Sequence, residues 1–200
     1  SIPQSTRINM LNNLIWVVNK SEIAQSALDL LVQAGYKIIF DLSQPDLSKV
    51  IGIFVRTHTI VDDKILTQLT GLRFVLKAGV GLDNIDVKAC QARGIDVFNS
   101  PGSNASSVAE YVVSNMITSL RKFKTHEELL RSGSWRSYDQ MGVESAKKVV
   151  GLLGYGAVGK EVARKLSNFD VKIFAYDPYL SQDQIDSPEV QLVSLDYLIS

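Results

Sequence analysis

Residues 149–177 read VVGLLGYGAVGKEVARKLSNFDVKIFAYD. The apolar run Val149–Leu153 leads into Gly154-x-Gly156-x-x-Gly159, a helical pattern follows, and a second apolar run, Val171–Tyr176, ends at Asp177. Strand, glycine turn, helix, strand and terminal acid together make a βαβ unit with dinucleotide-binding spacing. Gly154 allows the tight turn out of the strand, Gly156 lets a pyrophosphate approach the backbone, and Gly159 lets helix and strand pack closely. The phosphates would sit at the helix start, where free N–H groups and the helix dipole favour negative charge. Asp177 lies 23 residues after Gly154, close to the spacing of about 20 at which an acid meets ribose hydroxyls.

Outward from this unit, strands and helices alternate almost from the start of the chain, which argues for parallel sheets covered by helices. Leu14–Val18, Lys37–Phe40, Ile51–Val55, Leu72–Leu76 and Ile95–Phe98 read as strands. Ser21 with Glu22 opens a helix through Ala34 that Gly35 ends, Asp41 to Leu47 is a polar connection containing Pro45, and Asp86 caps a helix ending at Gly94. Ser100-Pro101-Gly102-Ser103-Asn104 is the most concentrated turn signal and places a domain boundary after residue 103. Residues 1–103 are expected to form a flavodoxin-like parallel-sheet domain, and residues 104–200 the first half of a Rossmann domain. In the second, a long helix is expected from Ala105 to Leu130, then irregular chain over 135–147, and after Asp177 a short strand near Val190–Val193 and a helix start at Leu195.

Composition limits the function classes. Of the 200 residues, 46% are hydrophobic and 21% charged, ordinary values for a globular protein. Basic and acidic residues balance at 21 each, so overall charge points to neither nucleic acid nor an anionic membrane. No apolar run approaches the roughly 20 residues of a membrane helix. The N-terminal SIPQSTRINMLNN lacks the basic-then-apolar order of a signal peptide, and the lone Cys90 fits a reducing, cytoplasmic setting and a buried place on a helix. No metal-ligand spacing is present.

From Ile51 to Leu180 the sequence resembles the D-isomer-specific 2-hydroxyacid dehydrogenases, the phosphoglycerate dehydrogenases among them most closely. Four blocks carry the likeness: Val55-Arg56-Thr57-His58-Thr59; Lys77-Ala78-Gly79-Val80-Gly81-Leu82-Asp83-Asn84-Ile85-Asp86; Asn99-Ser100-Pro101 through Asn104 to Val108-Ala109-Glu110; and the glycine loop ending in Tyr176-Asp177-Pro178. The resemblance implies a substrate-binding domain over residues 1–103 and a nucleotide-binding domain over 104–200. It implies that amides around Gly79, Val80 and Gly81 hold the substrate carboxylate, and that Arg56 and Lys77 contribute cations. Asn104 would reach substrate, although a helix-capping role explains it as well. Val80, Ser107 and Val108 would line the nicotinamide side, and Ala157 and Val158 would give helix-start amides to the pyrophosphate. Asp177 would accept ribose hydroxyls and repel the extra phosphate of NADP, which makes NAD the expected cofactor.

The implied reaction moves a hydride between NAD(H) and C2 of a D-2-hydroxy acid, 3-phosphoglycerate first (serine biosynthesis), hydroxypyruvate or glyoxylate next. It needs a base, for which histidine is suited near neutral pH. The family's catalytic arginine, glutamate and histidine lie downstream of the first Rossmann half and are expected beyond Ser200. The chain therefore reads as a truncated part of a longer enzyme, inactive alone; a non-catalytic NAD(H)-binding sensor or interaction protein is the alternative. His126 reads as solvated on a polar helix face and His58 lies near the proposed substrate site. A homodimer or tetramer through the nucleotide domain is implied by resemblance.

Overall fold

The unbroken apolar run Val50–Val55 forms β3 and is buried along nearly its whole length, as a strand covered on both faces must be. In the computed structural model, which describes residues 13–43, 46–135 and 138–200, β3 lies at the centre of a parallel sheet. Its companions are β1 (Leu14–Val17), β2 (Lys37–Ile39), β4 (Phe74–Lys77) and β5 (Asp96–Phe98), in the order β2-β1-β3-β4-β5. This is the flavodoxin-like doubly wound order, and its switch point falls between β1 and β3. Helices α1 (Gln25–Gln33), α2 (Asp63–Gln68) and α3 (Val87–Ala92) connect the strands. Asp62 and Asp86 cap α2 and α3 by accepting the N–H groups of Ile65 and Ala89. One core gathers Val50, Ile53, Val55, Leu66, Leu69, Val75 and Cys90, and a second gathers Ile15, Val17, Ile23 and Leu28. Burial pushes the Cys90 thiol's pKa up, which keeps it a neutral core side chain.

The compact units of the chain divide between Ser103 and Asn104. The second unit holds α4 (Ala105–Leu120), α5 (Phe123–Arg131), β6 (Val149–Leu153), α6 (Ala157–Leu166), β7 (Lys172–Tyr176), β8 (Val190–Leu192) and α7 (Leu195–Ile199). Its strands are parallel in the order β6-β7-β8, the first half of a Rossmann sheet. Ala109, Val162, Ala163, Leu166, Ile173 and Ala175 form its core. Among the described residues no helix is long and apolar enough to cross a membrane.

Two helix boundaries differ from the sequence reading. Ser21 and Glu22 belong to a separate 3-10 turn over Lys20–Glu22, because the Asn19 side chain accepts the Ser21 N–H; α1 starts only at Gln25. The single helix expected over 105–130 is two helices, with Lys122 between them in the left-handed region at φ 51°. Val143 N–H donates to the Leu120 carbonyl at 2.8 Å and so takes up an end carbonyl of α4. Gly142 lies so close to Arg121 that a Cβ would meet its Cα at 2.7 Å. Residues 1–12, Gln44 and Pro45 of the polar connection, and Arg136 and Ser137 of the irregular stretch lie outside the described residues.

Candidate functional site

At the end of β6 the chain turns through Gly154 at φ 99°, a left-handed conformation open to glycine. Gly154 N–H donates to the Tyr176 carbonyl at 2.8 Å, which holds the ends of β6 and β7 level. Gly156 is the N-cap of α6, and a Cβ built there meets nothing within 4 Å, so the backbone is open on that side. A Cβ on Gly159 would instead run into the Gly154 carbonyl oxygen, because helix and turn touch at that point. The first α6 amide to find a helical acceptor is that of Lys160, which donates to Gly156 at 2.9 Å. The amides of Ala157, Val158 and Gly159 are left as the orphan donors of the helix start, suited to an anion.

Asp177 reaches back to this loop. One carboxylate oxygen accepts the Tyr155 N–H at 3.0 Å and the other the Tyr179 N–H at 3.0 Å. These two bonds, the Tyr155 one foremost, hold its pKa below the usual carboxylate value and keep it charged. Each oxygen keeps acceptor capacity beyond its one amide. The sequence reading missed the part played by Tyr155. Its ring is buried at 1% exposure, and its hydroxyl faces Asp186 Oδ1 at 3.4 Å. Asp186 also pairs with Lys160 of α6 at 3.1 Å. Burial, reinforced by the Asp186 charge, raises the pKa of the Tyr155 phenol.

In the first unit, β3 delivers Arg56 and β4 delivers Lys77 and the Ala78-Gly79-Val80-Gly81 turn at adjacent strand ends, with Val55 opposite Lys77. Strand carboxyl ends beside a switch point are where ligands of open α/β sheets bind. The Gly79 amide is taken, donating to Lys77 at 2.9 Å, while the amides of Val80 and Gly81 have no acceptor among the described residues. Asn99 Nδ2 donates to the Val80 carbonyl at 2.7 Å and Ser100 N–H to the Gly79 carbonyl at 2.9 Å, which pins the turn from its far side. Arg56 is exposed and gives one N–H to the Glu22 carbonyl at 3.3 Å, leaving most of its fork available. Lys77 departs from the expectation of a substrate-facing cation. It is buried at 6% exposure, and its ammonium donates to the Arg56 carbonyl at 2.7 Å and to Asn84 Oδ1. His58 is exposed two residues beyond Arg56.

In the second unit, Asn104 is the N-cap residue of α4 but its side chain makes no capping bond. Ser107 is exposed in the first turn, and Val108 is half-buried with its N–H on the Asn104 carbonyl at 2.9 Å. His126, read as solvated, is half-buried, with Nε2 at 2.9 Å from the Gln140 carbonyl.

The family model for "D-isomer specific 2-hydroxyacid dehydrogenase, catalytic domain" matches residues 17–163. The chain belongs to this family. Among curated relatives in the family, a D-3-phosphoglycerate dehydrogenase of Archaeoglobus fulgidus is 33% identical over 184 residues, covering 89% of the chain and 35% of the relative. A hydroxypyruvate reductase of Thermotoga maritima is 37% identical over 161 residues, covering 78% of the chain and 52% of the relative. The chain thus spans about a third of the first relative's length and about half of the second's. The crystal structure of D-lactate dehydrogenase from Aquifex aeolicus, complexed with NAD and lactic acid, superposes with a TM-score of 0.75. It is 24% identical, and the match covers 93% of this chain and 57% of that one; a likeness at that identity speaks for the fold.

Proposed function

We propose that this chain is the substrate- and cofactor-binding portion of an NAD-dependent D-2-hydroxyacid dehydrogenase. The observation that carries the reading is the glycine loop: open at Gly156, closed against Gly154 at Gly159, and tied through Tyr155 to a charged Asp177. The free amides of Ala157 and Val158 would hold the pyrophosphate and Asp177 the adenine-side ribose, with Ser107 and Val108 toward the nicotinamide. NAD, when bound, supplies the hydride acceptor for C2 of the hydroxy acid. The chain's own residues bind and orient. Val80 and Gly81 donate their amides to the substrate carboxylate, and Arg56 adds a forked, charge-assisted contact. In the second unit, Asn104 offers an uncommitted amide side chain to a polar ligand group. Residues 1–103 are the substrate-binding domain and residues 104–200 the nucleotide-binding domain in this reading, and the 200-residue chain binds without turnover.

Relatives named D-3-phosphoglycerate dehydrogenase support 3-phosphoglycerate and phosphohydroxypyruvate as the first substrate pair to test, and on this reading the enzyme serves serine biosynthesis in the cytoplasm. The inward-turned Lys77 supports a second reading, reduction of unphosphorylated hydroxypyruvate or glyoxylate, because it removes one cation from those available to a phosphate. Phe123, Leu130, Trp135 and Met141 expose apolar surface in the second unit, Trp135 at 86%, which supports a homodimer formed through that unit. Oxidation of NADH by the gene product carrying this sequence, with phosphohydroxypyruvate and hydroxypyruvate in parallel, tests the function. A higher kcat/KM for one acid decides the substrate, and turnover of neither sinks the dehydrogenase reading.

A further inference from the structure

Lys77 is the one charged side chain buried among the described residues. A buried ammonium must have its N–H groups bonded, and where those bonds go defines its task. One goes to the Arg56 carbonyl at 2.7 Å and another to Asn84 Oδ1. Asn84 in turn donates through Nδ2 to the same Arg56 carbonyl at 2.9 Å and to the Thr59 carbonyl. The backbone repeats the connection: Val61 N–H donates to the Asn84 carbonyl at 2.8 Å and Asp86 N–H to the Val61 carbonyl at 2.9 Å. On the other side, Ala78 N–H donates to the Val55 carbonyl at 2.9 Å, and the stem of Lys77 passes close enough to Gly79 for a Cβ there to meet its Cε at 3.4 Å. The segment that carries Arg56 and the turn that carries the Val80 and Gly81 amides are therefore fastened to one another through Lys77 and Asn84.

We propose that Lys77 and Asn84 are positioning residues, which set Arg56 against the Val80–Gly81 amides without touching the substrate. The proposal rests on the reading of those groups as the carboxylate-holding site. A contacting lysine would favour a polyanion over a monoanion, whereas a positioning lysine affects both alike. Asn84, which carries no charge, should then matter as much as Lys77.

The test uses the 200-residue chain, labelled with 15N and titrated with D-glycerate and with 3-phospho-D-glycerate, following the amide signals of Val80 and Gly81. Wild type should shift both signals on adding D-glycerate. Lys77→Met and Asn84→Ala should each weaken both ligands by a similar factor, about tenfold, with the amide signals of the five-stranded sheet in place. Asn84→Ala leaves the ammonium present, so it decides the matter alone if Lys77→Met fails to fold. Unchanged affinity in Asn84→Ala overturns the proposal. So does a loss in Lys77→Met confined to the phosphorylated ligand, which would mean that the ammonium touches substrate. If wild type shows no shift at Val80 and Gly81 with either ligand, the carboxylate-site reading itself falls.

Discussion

The carboxylate of Asp177 accepts the backbone N–H of Tyr155 at 3.0 Å, so the acid at the end of β7 holds the glycine loop at the end of β6. The residue proposed to meet the ribose is thereby also a brace for the glycine loop. Its pKa lies below the ordinary value of 3.8, first through the Tyr155 amide and then through that of Tyr179. A carboxyl lowered in the folded state stabilises that state above its unfolded pKa, and the contribution is lost as pH falls through the folded value. The Tyr155 and Tyr179 amide signals should therefore move together in an acid titration with a midpoint under 3.8. A midpoint above that value would show that the carboxylate does not hold the loop.

Asp177→Ala removes the brace and, on the proposed reading, the ribose acceptor with it. NAD affinity should fall by about tenfold or more, as expected for loss of charge-assisted contacts, and the NAD-over-NADP preference should shrink because NAD weakens. Titration calorimetry with both cofactors measures this. An unchanged ratio would remove Asp177 from cofactor discrimination.

Gly156 and Gly159 should respond differently to the same methyl group. Gly159→Ala drives a Cβ into the Gly154 carbonyl, and backbone cannot swing aside as a side chain can. A loss of about 1–3 kcal/mol of stability is expected, read from denaturant unfolding. Gly156→Ala meets nothing within 4 Å, so the melting temperature should stay close to wild type while NAD affinity drops. Equal effects on stability would contradict the division of labour between the two glycines.

Asn104 separates capping from ligand binding. A capping asparagine replaced by alanine costs about 1 kcal/mol, yet this side chain makes no capping bond. Asn104→Ala should leave stability nearly unchanged and weaken D-glycerate binding. A stability loss without a binding change would assign the residue to the helix.

The parallel sheets were legible because β3 and β7 are short apolar runs rich in β-branched and aromatic residues, because Asp170 and Asp177-Pro178 bracket β7, and because glycines mark the ends of α1 and α3. The break between α4 and α5 was not. The local sequence Leu120-Arg121-Lys122-Phe123 contains neither glycine nor proline. The break is accompanied by a contact from Gly142 and Val143, far along the chain, and no local propensity reports such a contact. The start of α1 was misplaced for a related reason: Ser21 looks like a cap, but Asn19 caps a separate turn before it. In the site, glycine spacing pointed to the loop and the acid after β7 to its partner. The burial of Lys77 could not be foreseen, since lysine is almost never fully buried and only the fold brings Asn84 and the Arg56 carbonyl to it.

The most direct test of the cofactor assignment is titration of the 200-residue chain with NAD and NADP, following its amide signals. NAD should bind saturably and shift the signals of Gly156, Ala157, Val158 and Asp177, NADP should bind more weakly by about tenfold or more, and no NADH should be oxidised when hydroxypyruvate is added. No shift at the glycine loop, or equal affinity for the two cofactors, would contradict that assignment.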